Sequence, residues 1–340
     1  DYLYVSAASD TLRNHLHDLS DVLARRRSLG SSDLVMDIGC NDGTLLKGFK
    51  RHGVRALGVD PAENLAGYDN GNEIERYVGF FNSSTADEIV KRWGKASVIT
   101  ATNTFPHIPN LRDFVEGIKK ALSPEGVFVI EAHYMTDLLE QGAFDTIYHE
   151  HVSYWALKPM RRVFENARMR IVDVERLPIH HGQLRVFVQH AEAAEERDTV
   201  QELLKQEKEK GIGDFATYQA FSQAVVRNKE TLTHTLKDFK EAGKSVVGYG
   251  APAKGNTLLT FLELSREQIP YIADKSVLKQ GRFTPGTHIP VVSPDRLLLD
   301  QPDYVLLLAW NFVDEILAQQ GEYRRRGGKF ITPVPEVRFL

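Results

Sequence analysis

Tyr148-His149-Glu150-His151 places a phenol, two imidazoles and a carboxylate in four consecutive residues, inside FDTIYHEHVSYW at 144–155. No core-packing pattern calls for such a run. An imidazole positioned as a general base can take a proton from carbon. A neighbouring hydroxyl can hydrogen-bond the oxygen that takes up the resulting charge. Upstream, DIGCNDG at 37–43 is a glycine turn suited to a nucleotide. Together the two segments predict an enzyme that moves a group from a nucleotide-like cofactor onto a carbon acid.

The elements that must position these groups follow from hydrophobic spacing. Leu12, Leu16, Leu19 and Leu23 recur at helical intervals over 10–29, with Gly30 after them. Leu34-Val35-Met36-Asp37 is a short apolar strand that breaks into the glycine turn. Residues 44–52 read as helix, and Ala56-Leu57-Gly58-Val59-Asp60 as a second strand ending in an acid. Residues 97–101 and 126–131 are two further buried strands. A helix over 111–122 separates them and stops at Ser123-Pro124-Glu125-Gly126. Strand and helix alternate, which predicts an α/β fold with a doubly wound parallel sheet.

After a strand at 185–190 the texture changes. Residues 191–243 are rich in Glu, Lys, Gln and Ala, lack proline, and predict one or two long helices. New strands then start at 245–250, 269–274 and 304–309. The expected division is a first Rossmann-like domain over 1–192, a helical linker over 193–243, and a second Rossmann-like domain over 244–340.

In the first half, a strand, Asp37-x-Gly39-x-x-x-Gly43, a helix and a strand ending at Asp60 make a nucleoside-binding unit. Glycines let the backbone approach the ligand, and the acid can grip two ribose hydroxyls. A dinucleotide site favours G-x-G-x-x-G facing a pyrophosphate. Here Asp37 and Asp42 would repel a pyrophosphate but tolerate a cationic sulfonium, so S-adenosylmethionine is expected rather than NAD. The cofactor set is Asp37, Gly39, Cys40, Asn41, Gly43, Asp60 and Pro61. Cys40 reads as a small buried filler rather than a nucleophile, because no base sits beside it. A turn serving chain reversal alone is the alternative, and Asp60 at the required place argues against it.

In the second half, GYGAPAKGNT at 248–257 follows a strand and leads into a helix. Glycines with a lysine at such a turn suit a phosphate held by backbone N–H groups and one positive charge. The spacing is not that of a P-loop, which disfavours ATP hydrolysis and favours a diphosphate handle. Tyr249, Lys254 and Asn256 are the expected substrate contacts. Arg282, in KQGRFTPGTH at 279–288, is a further phosphate candidate, with a plain structural turn as the alternative.

Bulk properties bound the rest. A net charge of -4 gives no electrostatic case for nucleic acid, and Arg25–Arg27 and Arg324–Arg326 read as solvated faces. No apolar run reaches the ~18 residues of a membrane span. A single cysteine excludes an intramolecular disulfide within these residues and fits a reducing cytoplasm. His15 and His17, on the first helix, read as surface residues.

The chain resembles the sugar C-methyltransferases that act on nucleotide-linked 4-keto-deoxysugars in antibiotic and surface-glycan pathways. The matching stretches are Tyr2 to Ser6, DIGCNDGTLL (37–46), NTFPHI (103–108), FDTIYHEHVSYW (144–155), IHHGQLRVFV (179–188), GYGAPAKGNTLL (248–259), KQGRFTPGTHIPV (279–291) and LLLAWNF (306–312). They cover essentially the whole chain. The resemblance implies a class I methyltransferase domain, S-adenosylmethionine as donor, and a nucleotide-linked keto-sugar (TDP or GDP) as substrate, methylated at C3.

It also implies site roles. His151 takes the base role, Glu150 orients that imidazole or a substrate hydroxyl, and Tyr148 donates to the developing oxyanion. Tyr2 matches a further active-site tyrosine, with Tyr4 next in register. His107 and Asn103 fall at the cofactor–substrate boundary. His149 is a substrate contact or a structural histidine. His181 is a substrate contact in a loop that departs from the family: His180-His181-Gly182-Gln183 stands where members tend to read His-Gly-Gly-Ser. Members usually carry an N-terminal cysteine-rich zinc domain; these residues hold no such cysteines, and no metal is predicted.

Three other readings compete. An NAD-dependent oxidoreductase or epimerase is disfavoured by the G-x-x-x-G turn and by the lack of a Tyr-x-x-x-Lys pair near the chemistry. A non-catalytic nucleotide-sugar binding module would not need the Tyr148–His151 cluster. An O- or N-methyltransferase would not need a base able to form an enolate.

Overall fold

The computed structural model describes residues 5–65, 67, 74–179 and 182–340. Tyr2, Tyr4, His180 and His181 lie outside the described residues. The chain divides into two compact units that do not follow chain order: Asp1–Tyr134, Val152–Pro178 and Gly182–Lys210 form one, and Met135–His151, Ile179–His181 and Gly211–Leu340 the other.

The first unit opens with α1 (Asp10–Arg27). The Ser9 hydroxyl caps its start by accepting from the Leu12 N–H, and Ser28 ends it in a left-handed conformation. Its leucine stripe, Leu12, Leu16, Leu19 and Leu23, is buried. His15 and His17 are half-buried rather than surface residues, because one histidine finds a buried partner described below.

Then come β1 (Leu34–Ile38), α2 (Thr44–Lys50), β2 (Arg55–Asp60), β3 (Glu75–Val78), α3 (Ser83–Trp93), β4 (Ala96–Thr102), α4 (Leu111–Ala121) and β5 (Leu122–His133). After α5 (Met135–Glu140), which belongs to the second unit, the first resumes with α6 (Leu157–Asn166), β6 (Met169–Leu177), β7 (Gln183–His190) and α7 (Asp198–Glu209). The sheet order is β3-β2-β1-β4-β5-β7-β6. The first five strands run parallel, β7 runs antiparallel to β5, and β6 antiparallel to β7. This is a Rossmann-like sheet whose last two strands form an antiparallel hairpin rather than another parallel crossover.

Strand β5 starts at Leu122, where the sequence suggested a loop up to Gly126. Leu122 is fully buried and pairs with Ala96, and a register shift between Ala96 and Val98 takes up the irregularity. Phe105, Phe114, Phe128 and Phe164 pack ring to ring beneath the sheet, with centroids 6.0–6.2 Å apart.

The second unit contains α8 (Phe215–Glu241), β8 (Val246–Tyr249), α9 (Ala253–Phe261), β9 (Ile272–Ala273), β10 (Val291–Val292), α10 (Arg296–Asp300), β11 (Tyr304–Leu307), α11 (Val313–Gln319), α12 (Gly321–Arg325), β12 (Lys329–Thr332) and β13 (Arg338–Phe339). Its sheet runs β10-β9-β8-β11-β12-β13, parallel except for β13. The expected strand at 269–274 shrinks to Ile272–Ala273, since Pro270 has no N–H to donate to a ladder. Among the described residues, no helix is long and apolar enough to cross a membrane.

Candidate active site

In the first unit the predicted cofactor residues gather at the carboxyl ends of β1, β2 and β4. Asp37, one residue before the end of β1, is fully enclosed, and its carboxylate accepts the Thr100 hydroxyl at 2.7 Å. Burial first, and the nearby Asp60 charge second, push its carboxyl up to about 7. Gly39 (φ 73°) gives its N–H to the Val59 carbonyl at 2.8 Å. A Cβ there would strike the Thr104 side chain, so both space and dihedral call for glycine. Cys40 is buried, and burial pushes its thiol up, which suits a filler and not a nucleophile.

Asn41 (φ 53°) donates its backbone N–H to Asp60 Oδ2 at 2.9 Å, and its side-chain oxygen accepts from the Ser6 N–H at 3.0 Å. Arg76 grips the Asn41 carbonyl with two 3.0 Å bonds. Asp42 Oδ1 accepts the Thr44 N–H at 3.2 Å and its hydroxyl at 2.8 Å, and Oδ2 accepts the Ala7 N–H at 3.0 Å. Gly43 (φ 75°) occupies the N-cap position. Asp60 is half-buried; its Oδ1 accepts the Ala62 N–H at 2.8 Å, and Pro61 between them is exposed. Asn103 (φ 56°) donates its N–H to the Glu131 carbonyl at 2.8 Å, and its side-chain oxygen accepts from Gln183. His107 ends a short 3-10 turn (Phe105–His107) and is half-buried. The Pro106 carbonyl beside it accepts the N–H groups of Val152 and Ser153 at 3.0 and 3.2 Å.

A charge chain that sequence reasoning missed lies on the same sheet. Glu131 on β5, 1% exposed, accepts from Arg185 at 2.7 Å and pairs with His15 at 2.8 Å. Arg185 continues to Glu175 at 2.8 Å, and Arg26 reaches Glu175 at 2.6 Å. Burial works against the Glu131 carboxylate, yet His15 and Arg185 hold it below its ordinary range. The partners come from four separate elements, so no sequence spacing announces them.

In the second unit, Tyr148 and His151 meet across a tight turn closed by the His151 N–H and the Tyr148 carbonyl at 3.0 Å. Their rings lie 4.3 Å apart, and Tyr148 Oη is 3.1 Å from His151 Nε2. His151 Nδ1 lies 2.8 Å from the Thr146 carbonyl. A carbonyl can only accept, so Nδ1 carries the proton and Nε2 presents its lone pair. The group that orients the imidazole is therefore a main-chain carbonyl, where a carboxylate such as Glu150 was one expectation. His149 is 87% exposed, 4.0 Å from Glu150, which is itself partly exposed.

Tyr249 is buried at the end of β8, and its hydroxyl accepts from Gln320 at 3.3 Å. Asn256, on α9, has a buried side-chain oxygen with no hydrogen-bond partner. Arg282 is exposed on its loop. Lys254 is directed inward: its Nζ lies 3.7 Å from Asp145 Oδ2 and 3.9 Å from the Trp310 ring centroid. Burial pulls its ammonium down to about 8. Burial also raises the Asp145 carboxyl, whose Oδ2 accepts the Trp310 indole N–H at 2.6 Å.

The two units repeat one device. In the first, Gly39 donates to Val59, Asn41 donates to Asp60, and Ala62 closes on the same carboxylate. In the second, Gly250 donates to Ala273, Ala251 donates to Asp274 Oδ2 at 2.7 Å, and Ser276 donates to Asp274 Oδ1 at 2.8 Å. Asp274 was not singled out in the sequence, although it directly follows β9 much as Asp60 closes β2.

Residues 11–174 match a family model described as a methyltransferase domain, and residues 178–335 one described as a C-methyltransferase C-terminal domain. The chain is 38% identical over 340 residues to the C-methyltransferase NovU of Streptomyces niveus, covering 100% of this chain and 81% of that protein. A ubiquinone biosynthesis O-methyltransferase of Coxiella burnetii is 20% identical over 165 residues, covering 43% of this chain and 67% of that protein. Among solved structures, the plantazolicin methyltransferase BpumL aligns with 53% of this chain and 85% of its own, at 13% identity and a TM-score of 0.42.

Proposed function

The chain belongs to the C-methyltransferase family, and from that premise we propose that it methylates the carbon next to the ketone of a nucleotide-linked 4-keto-deoxysugar. The methyl donor is S-adenosylmethionine, which supplies an electrophilic methyl group when bound. The first unit's residues fit it: each Asp60 oxygen accepts one backbone N–H and keeps a further lone pair for a ribose hydroxyl. Asp37, Gly39, Asn41, Gly43 and Asn103 complete that cradle, with His107 beside it.

The observation that carries the reading is the orientation of His151. With Nδ1–H held on the Thr146 carbonyl, Nε2 is the basic nitrogen. It takes the proton from the carbon α to the ketone, and the C–H electron pair passes into the enolate. Tyr148 Oη, 3.1 Å from Nε2, turns its hydrogen to the oxygen that gains charge. The enolate carbon is then the nucleophile for the methyl group. Glu150 holds a sugar hydroxyl, and Tyr249, Asn256 and Arg282 serve the nucleotide diphosphate. In this reading the carbon is C3, the carrier is TDP or GDP, and the enzyme works in the cytoplasm on deoxysugars for antibiotics or surface glycans.

The test is proton exchange on a TDP-linked 4-keto-6-deoxyhexose in deuterated buffer, with S-adenosylhomocysteine in place of the donor. The wild type should wash deuterium into the position next to the ketone, and His151→Ala should not. Calorimetry should show S-adenosylmethionine binding in both proteins. Exchange by His151→Ala at the wild-type rate would remove the base role, and tight NAD binding without S-adenosylmethionine binding would move the chain to the oxidoreductases.

A further inference from the structure

We propose that Asp145, Lys254 and Trp310 are positioning residues, a buried three-way contact that holds the carbonyl on which the His151 ring is oriented. The role rests on His151 being the base, as read above.

The contact is largely withdrawn from solvent. Asp145 is 0% exposed, the Lys254 side chain 12%, and Trp310 3%. One carboxylate oxygen receives both the indole N–H at 2.6 Å and the ammonium at 3.7 Å, and the ammonium sits over the indole face at 3.9 Å. Three separate pieces of the second unit are thereby tied together: the Met135–His151 segment, α9 and the turn after β11. Phe144, beside Asp145, packs on Phe261 of α9 with centroids 5.0 Å apart, so the anchor is both polar and apolar.

The residue after Asp145 supplies the acceptor for His151 Nδ1. Thr146 points its carbonyl at the imidazole at 2.8 Å and donates its hydroxyl to the Ala143 carbonyl at 2.7 Å. One peptide thus separates the buried carboxylate from the atom that fixes which His151 nitrogen is basic. A hydrophobic trio of equal volume could match this contact in stability, because burying two charges costs nearly what their attraction returns. A directional contact adds register: Asp145 can sit only where indole and ammonium converge. Lys254 is spent on this contact and is not available to a phosphate.

The test uses the full chain labelled with 15N-histidine, the His151 signals being identified by their loss in His151→Asn. Two variants avoid stranding a buried charge: the double change Asp145→Asn with Lys254→Met, and Trp310→Phe. Both should keep wild-type far- and near-ultraviolet circular dichroism. The His151 nitrogen shifts should move from the Nδ1–H pattern toward a mixture of tautomers. With a TDP-linked 4-keto-6-deoxyhexose, kcat should fall roughly 10- to 100-fold while KM stays within about threefold, as expected for a displaced catalytic group. Unchanged nitrogen shifts in both folded variants would overturn the proposal, as would a rise in KM alone, which would return Lys254 to the substrate's phosphates. A wild type that shows the Nδ1–H pattern and loses it in the variants, yet transfers no methyl group, would support the positioning and sink the functional reading instead.

Discussion

At Asp37 a carboxyl is enclosed with one hydroxyl donor and pushed up from 3.8 to about 7. A raised acid favours the folded state below the unfolded pKa, and that advantage drains away as pH rises through the folded value. The window is therefore about pH 4 to pH 7, with a slope of up to about 1.4 kcal/mol per pH unit. Asp37→Asn keeps the acceptor for Thr100 and has no proton to lose. Its melting temperature relative to the wild type should climb across that window and level off above it. Parallel melting curves at every pH would show that Asp37 stays ionised. A second prediction belongs to this scale: Tyr148→Phe should lower kcat roughly 10- to 100-fold without weakening S-adenosylmethionine binding, measured by methyl transfer and calorimetry. Single residues were the most legible part of the sequence when their chemistry was local. Tyr148 and His151 sit three positions apart, and Asp60 ends a strand. Glu131, His15 and Arg185 were not legible, because a buried carboxylate and its cations lie far apart in the chain and nothing in their neighbours' types reports the pairing.

Helix α6 has no side-chain cap of its own, since Ala156 stands at its start. Glu207, reaching over from α7, accepts the N–H groups of Leu157 and Lys158 and the hydroxyl of Tyr134, the last at 3.0 Å. One carboxylate thus serves as a cap supplied from another helix, and it ties α7 to the first unit's core. Glu207→Ala should strip three donors of their acceptor inside the protein and cost about 2–4 kcal/mol, read as a fall in the urea midpoint. Glu207→Gln should recover part of that loss. The helical texture after β7 was plain from composition, and two helices are there: α7 and α8. That α7 groups with the first unit and α8 with the second could not be seen: α7 buries Val200 and Leu203 in the first unit's core and sets Glu207 against α6, and apolar spacing alone does not say which core a helix joins. The antiparallel pair β6–β7 was hidden for a related reason. A strand's direction depends on which connection is short, and the side chains of the strand itself do not report it.

Across the whole chain, the two compact units are interleaved rather than strung in sequence. Residues 211–340 form most of the second unit but take Asp145 and Phe144 from a segment that precedes the β6–β7 hairpin. Expressed alone, 211–340 should leave Lys254 as a buried charge without a counterion and Phe261 without Phe144. The fragment should lack a cooperative thermal transition and bind 8-anilinonaphthalene sulfonate. A sharp transition in the fragment would show that the segment is dispensable to the unit. Sequence texture suggested a cut near residue 243, since strands resume there, but it is blind to a borrowed segment whose only signals are one acid and one aromatic ring.

The two turns latched by Asp60 and Asp274 bear on how fast ligands come and go. Both are closed by the protein's own hydrogen bonds, so the backbone that would face a ligand is set before the ligand arrives. Association then has no loop to order, and collision becomes the slow step. In stopped-flow mixing, S-adenosylmethionine should bind in one phase whose rate rises in proportion to its concentration, without a plateau. Asp60→Asn, which weakens the latch, should introduce a plateau, because the turn must then close during binding.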